Sequence, residues 1–258
     1  MKYFTSFLFG LIFLMTNSDL SGQDSLNQNV IFPNGISFGY GIGSYANRDE
    51  YISKEKYSGS LPYFNAGWTN KHEKYLYQIG IGFQSSSDIK NYNVSTKVFQ
   101  FSLNQGFLYP LSEFHLFSKK AYLFLGPSSE IFVFINKQNI AVTGFDYALS
   151  VASLISLGLN SEIIYPLSEN SNIESSLNFS VLSLGLRMVD FEEDDESPVK
   201  LLTLFSGTNG LFRLGIRYFL LSNLSVRAAY LLGVTRISTW EPLHVASDNF
   251  VFTLTYGF

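Results

Sequence analysis

Cysteine is absent from the 258-residue chain. No disulfide can staple it, no thiolate can ligate a metal, and no lipid can be attached through an N-terminal sulfur. Charge is scarce as well: 17 Lys and Arg against 21 Asp and Glu give a net charge of −4. No basic run occurs, which excludes the electrostatic footprint of a nucleic-acid partner. Histidine is limited to His72, His115 and His244, too widely spaced to form a ligand cluster. Beyond the first fifteen residues no apolar run approaches the roughly 20 residues that a membrane-crossing helix needs.

The first residues carry an export pattern. Met1-Lys2 is a short positive start, Tyr3 to Met15 is almost wholly apolar, and Thr16 to Gln23 turns polar with small residues at Ser21 and Gly22. This order predicts a cleaved secretory signal peptide over 1–22, with cleavage near Gly22 although Leu20 fits the −3 position poorly. A short periplasmic segment, 23–34, should follow, and one domain should occupy 35–258.

What the chain has in abundance is Phe (25) and Tyr (16), placed with a period of two. Ile36, Phe38, Tyr40 and Ile42 alternate with Ser37, Gly39, Gly41 and Gly43. Tyr75 to Phe83, Phe99 to Tyr109, Phe145 to Tyr165, Phe212 to Tyr218 and Val226 to Val234 repeat the rhythm. Such alternation marks strands. The opposite face, dominated by Gly, Ser, Asn and Gln with few lysines, is unlike a wetted surface. Small polar side chains suit a narrow lumen, and large apolar ones then face lipid. Closure removes the unpaired edges that hydrocarbon cannot tolerate. The expected fold is therefore all-β, a single antiparallel transmembrane β-barrel of meander topology with about ten strands. Eight or twelve follow if the short segment Ser60–Trp68, or the segment Tyr122–Phe134 that is apolar on both faces, is misassigned.

Within 173–188 the apolar phase changes from Ile173, Leu177 and Phe179 to Leu182, Leu184, Leu186 and Met188, which predicts a β-bulge near Val181. Short turns are expected near Asn70, Ser112, Ser168 and Ser222, on the periplasmic side. Longer external loops are expected at 46–59, 86–92, 137–144, 189–207 and 241–247. A repeat supports this register: Tyr109-Pro110-Leu111-Ser112-Glu113 recurs as Tyr165-Pro166-Leu167-Ser168-Glu169 and more loosely as Tyr218-Phe219-Leu220-Leu221-Ser222. Each copy falls about two strands after the last, with an interfacial tyrosine before a periplasmic turn.

The final segment places Phe250, Phe252, Leu254, Tyr256 and the terminal Phe258 on one face. An amphipathic last strand ending in Phe resembles the C-terminal signature by which outer-membrane barrels are recognised for assembly. Together with the export pattern, the chain resembles the small outer-membrane β-barrel superfamily, the OmpA-like and porin-like domains, over its whole mature length. The resemblance implies the outer membrane of a Gram-negative bacterium, both termini in the periplasm, and as partners the lipid and lipopolysaccharide of that membrane and its barrel-assembly machinery.

Chemistry is thinly supported. None of the three histidines has Ser two residues later, as lipid-modifying barrels do, and no Asp-x-His occurs. His244 lies near Ser247 and Asp248 in an expected external loop, at the wrong spacing for one strand face; His72 and His115 fall in expected turns. The run Asp190, Glu192, Glu193, Asp194, Asp195, Glu196 fits no EF-hand spacing and reads as a solvated loop. No catalytic residue, metal or cofactor is assigned. The candidate site is the lumen: Glu162, Glu174, Arg213, Arg217 and Arg227 share the inward parity at similar depth, and unpaired charges there would be costly. An ion-pair network of these five would pin the barrel or gate a small ion path. The expected function is a non-enzymatic envelope-structural barrel or narrow pore; the alternatives are an adhesin acting through its external loops and a lipid-active enzyme.

Overall fold

The computed structural model describes residues 34–91, 94–117, 119–138, 148–189 and 198–258. The expected signal peptide and the acidic run at 190–196 lie outside them. The described residues form eleven strands: β1 (Gly35–Asp49), β2 (Ser53–Lys71), β3 (Leu76–Asn91), β4 (Val94–Leu116), β5 (Lys119–Gln138), β6 (Ala148–Ser168), β7 (Ser171–Val189), β8 (Val199–Thr203), β9 (Gly207–Leu221), β10 (Leu224–Ile237) and β11 (Leu243–Gly257). All neighbours are antiparallel, and β1 pairs with β11, so ten strands close a ring with β8 as an added short strand. Following paired residues from Gly35 round the ring returns to β1 about a dozen residues further along, near Asn47, as expected of strands tilted by roughly 40°.

The bulge expected in β7 is present. Leu157 pairs with Leu182 and Gly158 with Ser180, leaving Val181 unpaired. It sits where the partner of β7 changes: β9 covers Ser171–Phe179 and β8 covers Leu182–Leu186. The repeat also proves to be a bulge motif. The register skips Leu111 on β4, Leu167 on β6 and Leu220 on β9, each two residues after its outward Tyr109, Tyr165 or Tyr218. In two copies proline precedes the bulge, where a missing N–H is least harmful.

The outer surface carries an apolar belt with aromatic edges. Near the end that holds Asn34 and Phe258, Trp68 packs edge-on against Tyr77 at 5.7 Å, and Tyr75 meets Phe107 and Tyr109. Farther up, Tyr40, Phe64, Phe83 and Phe99 form a ladder across β1 to β4 with centroids 5.1–6.3 Å apart. Above the belt β1, β2, β10 and β11 turn polar outside, with Ser44, Arg48, Lys54, Lys56, Arg236, His244 and Asp248. On β7 and β8 the outward apolar residues run on through Leu184, Leu186, Met188, Val199 and Leu201.

Three expectations need correcting. The strands overrun the expected loops: 46–59 holds only a turn between Asp49 and Ser53, and 241–247 is mostly β11. His115 lies in β4, which runs six residues beyond the bulge at Pro110/Ser112 to a turn at Phe117, itself at φ 55°. The lumen is small and polar only over half its length. Toward the long-loop end it holds an apolar core from β1 to β6, β8, β10 and β11, with Tyr45, Leu61, Phe132, Phe134, Leu154, Leu202 and Trp240 as its bulk. This explains the two-faced apolar pattern of Tyr122–Phe134: Phe132 and Phe134 fill the lumen while Ile131 faces outward, 40% exposed.

Candidate functional site

Alternation along β6, β7, β9 and β10 aims Glu162, Glu174, Arg213, Arg217 and Arg227 into the terminal half of the lumen. Glu174 is fully buried and lies at the centre of the cluster. Arg217 grips it with both forks, Nε donating to Oε1 and Nη2 to Oε2 at 3.1 Å. The remaining Arg217 nitrogen donates to Ser225 Oγ and Thr255 Oγ1, both at 3.2 Å. Arg227 adds one longer bond, Nη1 to Glu174 Oε2 at 3.3 Å. Beside this group Glu162 accepts from Arg213 Nη2 at 2.8 Å and from Gln78 Nε2 at 3.2 Å. The structure thus brings the five into two adjacent ion-pair groups, one around each glutamate. Sequence parity could not show the part played by Gln78, Ser225 and Thr255, because it depends on which strands the tilt brings level.

Between these groups and the apolar core lies a cavity of about 150 Å³. All three arginines line it, with Tyr63, Asn65, Asn104, Asn160 and Asn178 among its other walls. Gly80 keeps one wall open, since a Cβ there would lie 2.8 Å from Asn104 Oδ1. Farther along the lumen Gln84 Nε2 donates to Asn249 Oδ1 at 3.0 Å. At the terminal rim Leu76, Leu108, Phe124 and Ile164 form a smaller apolar cluster on the β3 to β6 side.

A second polar layer roofs the apolar core at the long-loop end, and nothing in the residue pattern pointed to it. Arg187 Nη2 donates to Asp49 Oδ1 with both side chains buried, and the guanidinium stacks 4.9 Å from the Tyr51 ring. Asn136 Nδ2 donates to the other Asp49 oxygen at 3.4 Å, while Asn136 Oδ1 accepts from the Thr96 hydroxyl. Its signal, an aspartate and an arginine on inward parity near strand ends, is visible only once those strands are known to extend so far.

The remaining candidates do not assemble. His244 is a strand residue on the outer face of β11, opposite Arg48 and Arg236. Ser247 points inward, while Asp248 Oδ1 accepts from the Ser44 amide at 2.9 Å. His72 lies in the β2–β3 turn against Tyr75, 4.5 Å away. On β11 Phe250, Phe252, Leu254 and Tyr256 all face outward and are more than half exposed, and the Phe258 amide donates to Asn34 O at 3.0 Å.

No protein-family profile matches the chain, and no curated protein sequence does. Among solved structures it is similar to the outer membrane protease OmpT from Escherichia coli, at 8% identity and a TM-score of 0.53 over 92% of this chain and 100% of that one. The translocator domain of the autotransporter NalP from Neisseria meningitidis matches at 12% identity and a TM-score of 0.48, over 91% of each chain. The attachment invasion locus protein Ail of Yersinia pestis matches at 9% and 0.33, over 87% of this chain and 100% of that one. The OmpT likeness establishes the fold: a transmembrane β-barrel of the outer-membrane type.

Proposed function

We propose that this protein is a non-enzymatic structural barrel of the Gram-negative outer membrane, closed to solutes, with both termini in the periplasm. The observation that carries this reading is the apolar core inside the long-loop half of the lumen. Tyr45, Leu61, Phe134, Leu154, Leu202 and Leu243 are each 0–1% exposed there, although they point toward the barrel axis. Water and ions cross such packing only if it is dismantled, because native interiors leave few voids larger than one water molecule. The belt of apolar and aromatic residues supports lipid contact, and the exposed apolar face of β11 with Phe258 at its end supports recognition by the barrel-assembly machinery. Outer-membrane lipid and lipopolysaccharide are the partners this surface suits.

The test is conductance of the purified protein in a planar lipid bilayer. The wild-type barrel is expected to be silent, and the F132A/F134A variant, which removes two rings from the seal, to give discrete steps. Steady steps from the wild-type protein, altered by E162Q or E174Q, would replace the sealed barrel with a narrow channel.

A further inference from the structure

We infer that the arginine-lined cavity is a binding site for a small oxyanion, a phosphate or a carboxylate. The lumen places three guanidiniums around two carboxylates. Arg217 and Glu174 satisfy one another almost completely, and Arg213 is matched to Glu162. Arg227 is left over. It is 8% exposed, lines the cavity, makes a single 3.3 Å bond to an oxygen already held by Arg217, and its Nε has no partner. Arg213 Nε, on the neighbouring strand, is also without a partner.

A buried guanidinium with so little compensation is expensive, and the usual remedies are a second carboxylate or a bound anion. The carboxylate in the cavity wall, Glu162, is already held by Arg213 and Gln78, and the inward Glu130 lies outside the wall and is hydrogen-bonded to Asn209. An oxyanion in the cavity would be received by the part of the Arg227 guanidinium that lines it, a planar group that fits carboxylate and phosphate oxygens. Asn65, Asn104 and Asn160 supply amide groups on the opposite walls. A volume of about 150 Å³ restricts the occupant to a small ion or to one acidic group of a larger molecule. The apolar core closes the long-loop side. Ser37, Thr69 and Thr255, which line the cavity next to the strand ends at Gly35 and Gly257, mark the side of entry.

The test uses protein purified in a zwitterionic detergent and titrated with sodium phosphate or sodium acetate, against sodium chloride at matched ionic strength. Binding heat and melting temperature are followed, and neither depends on whether the barrel conducts. Saturable binding and a raised melting temperature are expected with at least one of the two oxyanions, and which ion acts identifies the acidic group. R227Q should weaken the response tenfold or more, and R213Q, which removes a less buried arginine, provides the same test should R227Q not fold. A response identical for all three salts, or one unchanged in these variants, overturns the site.

Discussion

Replacing Glu174 by Gln keeps the shape of the side chain and removes the one charge that two buried arginines share. Glu174 is wholly buried, and the Arg217 and Arg227 side chains are only 8% and 10% exposed, so solvent does little to screen what is left. Breaking a buried ion pair by removing one partner costs about 3–5 kcal/mol, because the other charge stays buried without compensation. The adjacent cavity can admit water to Arg227, which places E174Q near the lower figure, about 3 kcal/mol. Glu162 is the internal control. Its partner Arg213 is 20% exposed, so E162Q should cost about 1.5–2 kcal/mol, the lower part of the range for a hydrogen bond to a charged group. The assay is equilibrium urea unfolding in lipid vesicles, followed by the fluorescence of the two tryptophans. Trp68 faces the belt and Trp240 lies in the apolar core, so coincident transitions would show that the barrel unfolds as a unit. An E174Q/R217M double variant should lose less than the sum of its single changes. The reasoning fails if E174Q costs under about 1 kcal/mol, or no more than E162Q.

Two other outcomes follow from the strand geometry. Deleting Val181 removes the unpaired residue of β7 and leaves Ser180 and Ser183 both facing inward, so a folded barrel with heat-modifiable gel mobility is expected. Deleting Leu177 instead would turn Glu174 and Asn172 toward lipid and should yield no folded species in the same gel; equal behaviour of the two deletions would contradict the bulge. The terminal Phe258 side chain is 74% exposed, so F258A should change unfolding in vesicles by about 1 kcal/mol or less while sharply lowering the amount of assembled barrel in cells. Unimpaired assembly would remove the signature role of that residue.

Within the bilayer the alternation was legible because lipid demands large apolar groups outside and a narrow lumen demands small ones inside. Ile36 to Ile42, Phe250 to Tyr256 and the phase change at Val181 could all be read from residue order. Above the bilayer the demand reverses. Tyr45, Tyr57 and Leu61 turn inward while Lys54, Lys56 and Arg48 face out, which is the pattern of a soluble barrel. A reader using one pattern sees noise at the join, so 46–59 looked like a loop. Parity put the five charged residues on the lumen face, but their pairing depends on strand tilt, as does the meeting of Asp49 with Arg187 from opposite sides of the ring. The Tyr-Pro-Leu-Ser repeat was visible as a repeat; that its leucine is the skipped residue of a bulge could be known only from the ladder.

The uneven height of the outer apolar face bears on posture. On β1, β10 and β11 it stops at Ile42, Val234 and Phe250, while on β7 and β8 it climbs on to Met188 and Val199. A slab of hydrocarbon with parallel faces cannot cover both limits on an upright cylinder. The barrel is therefore expected to lean, sinking its β7–β8 shoulder and lifting the β11–β1 seam, so that the charged rim near Arg48 and His244 stands higher above the lipid than the opposite side.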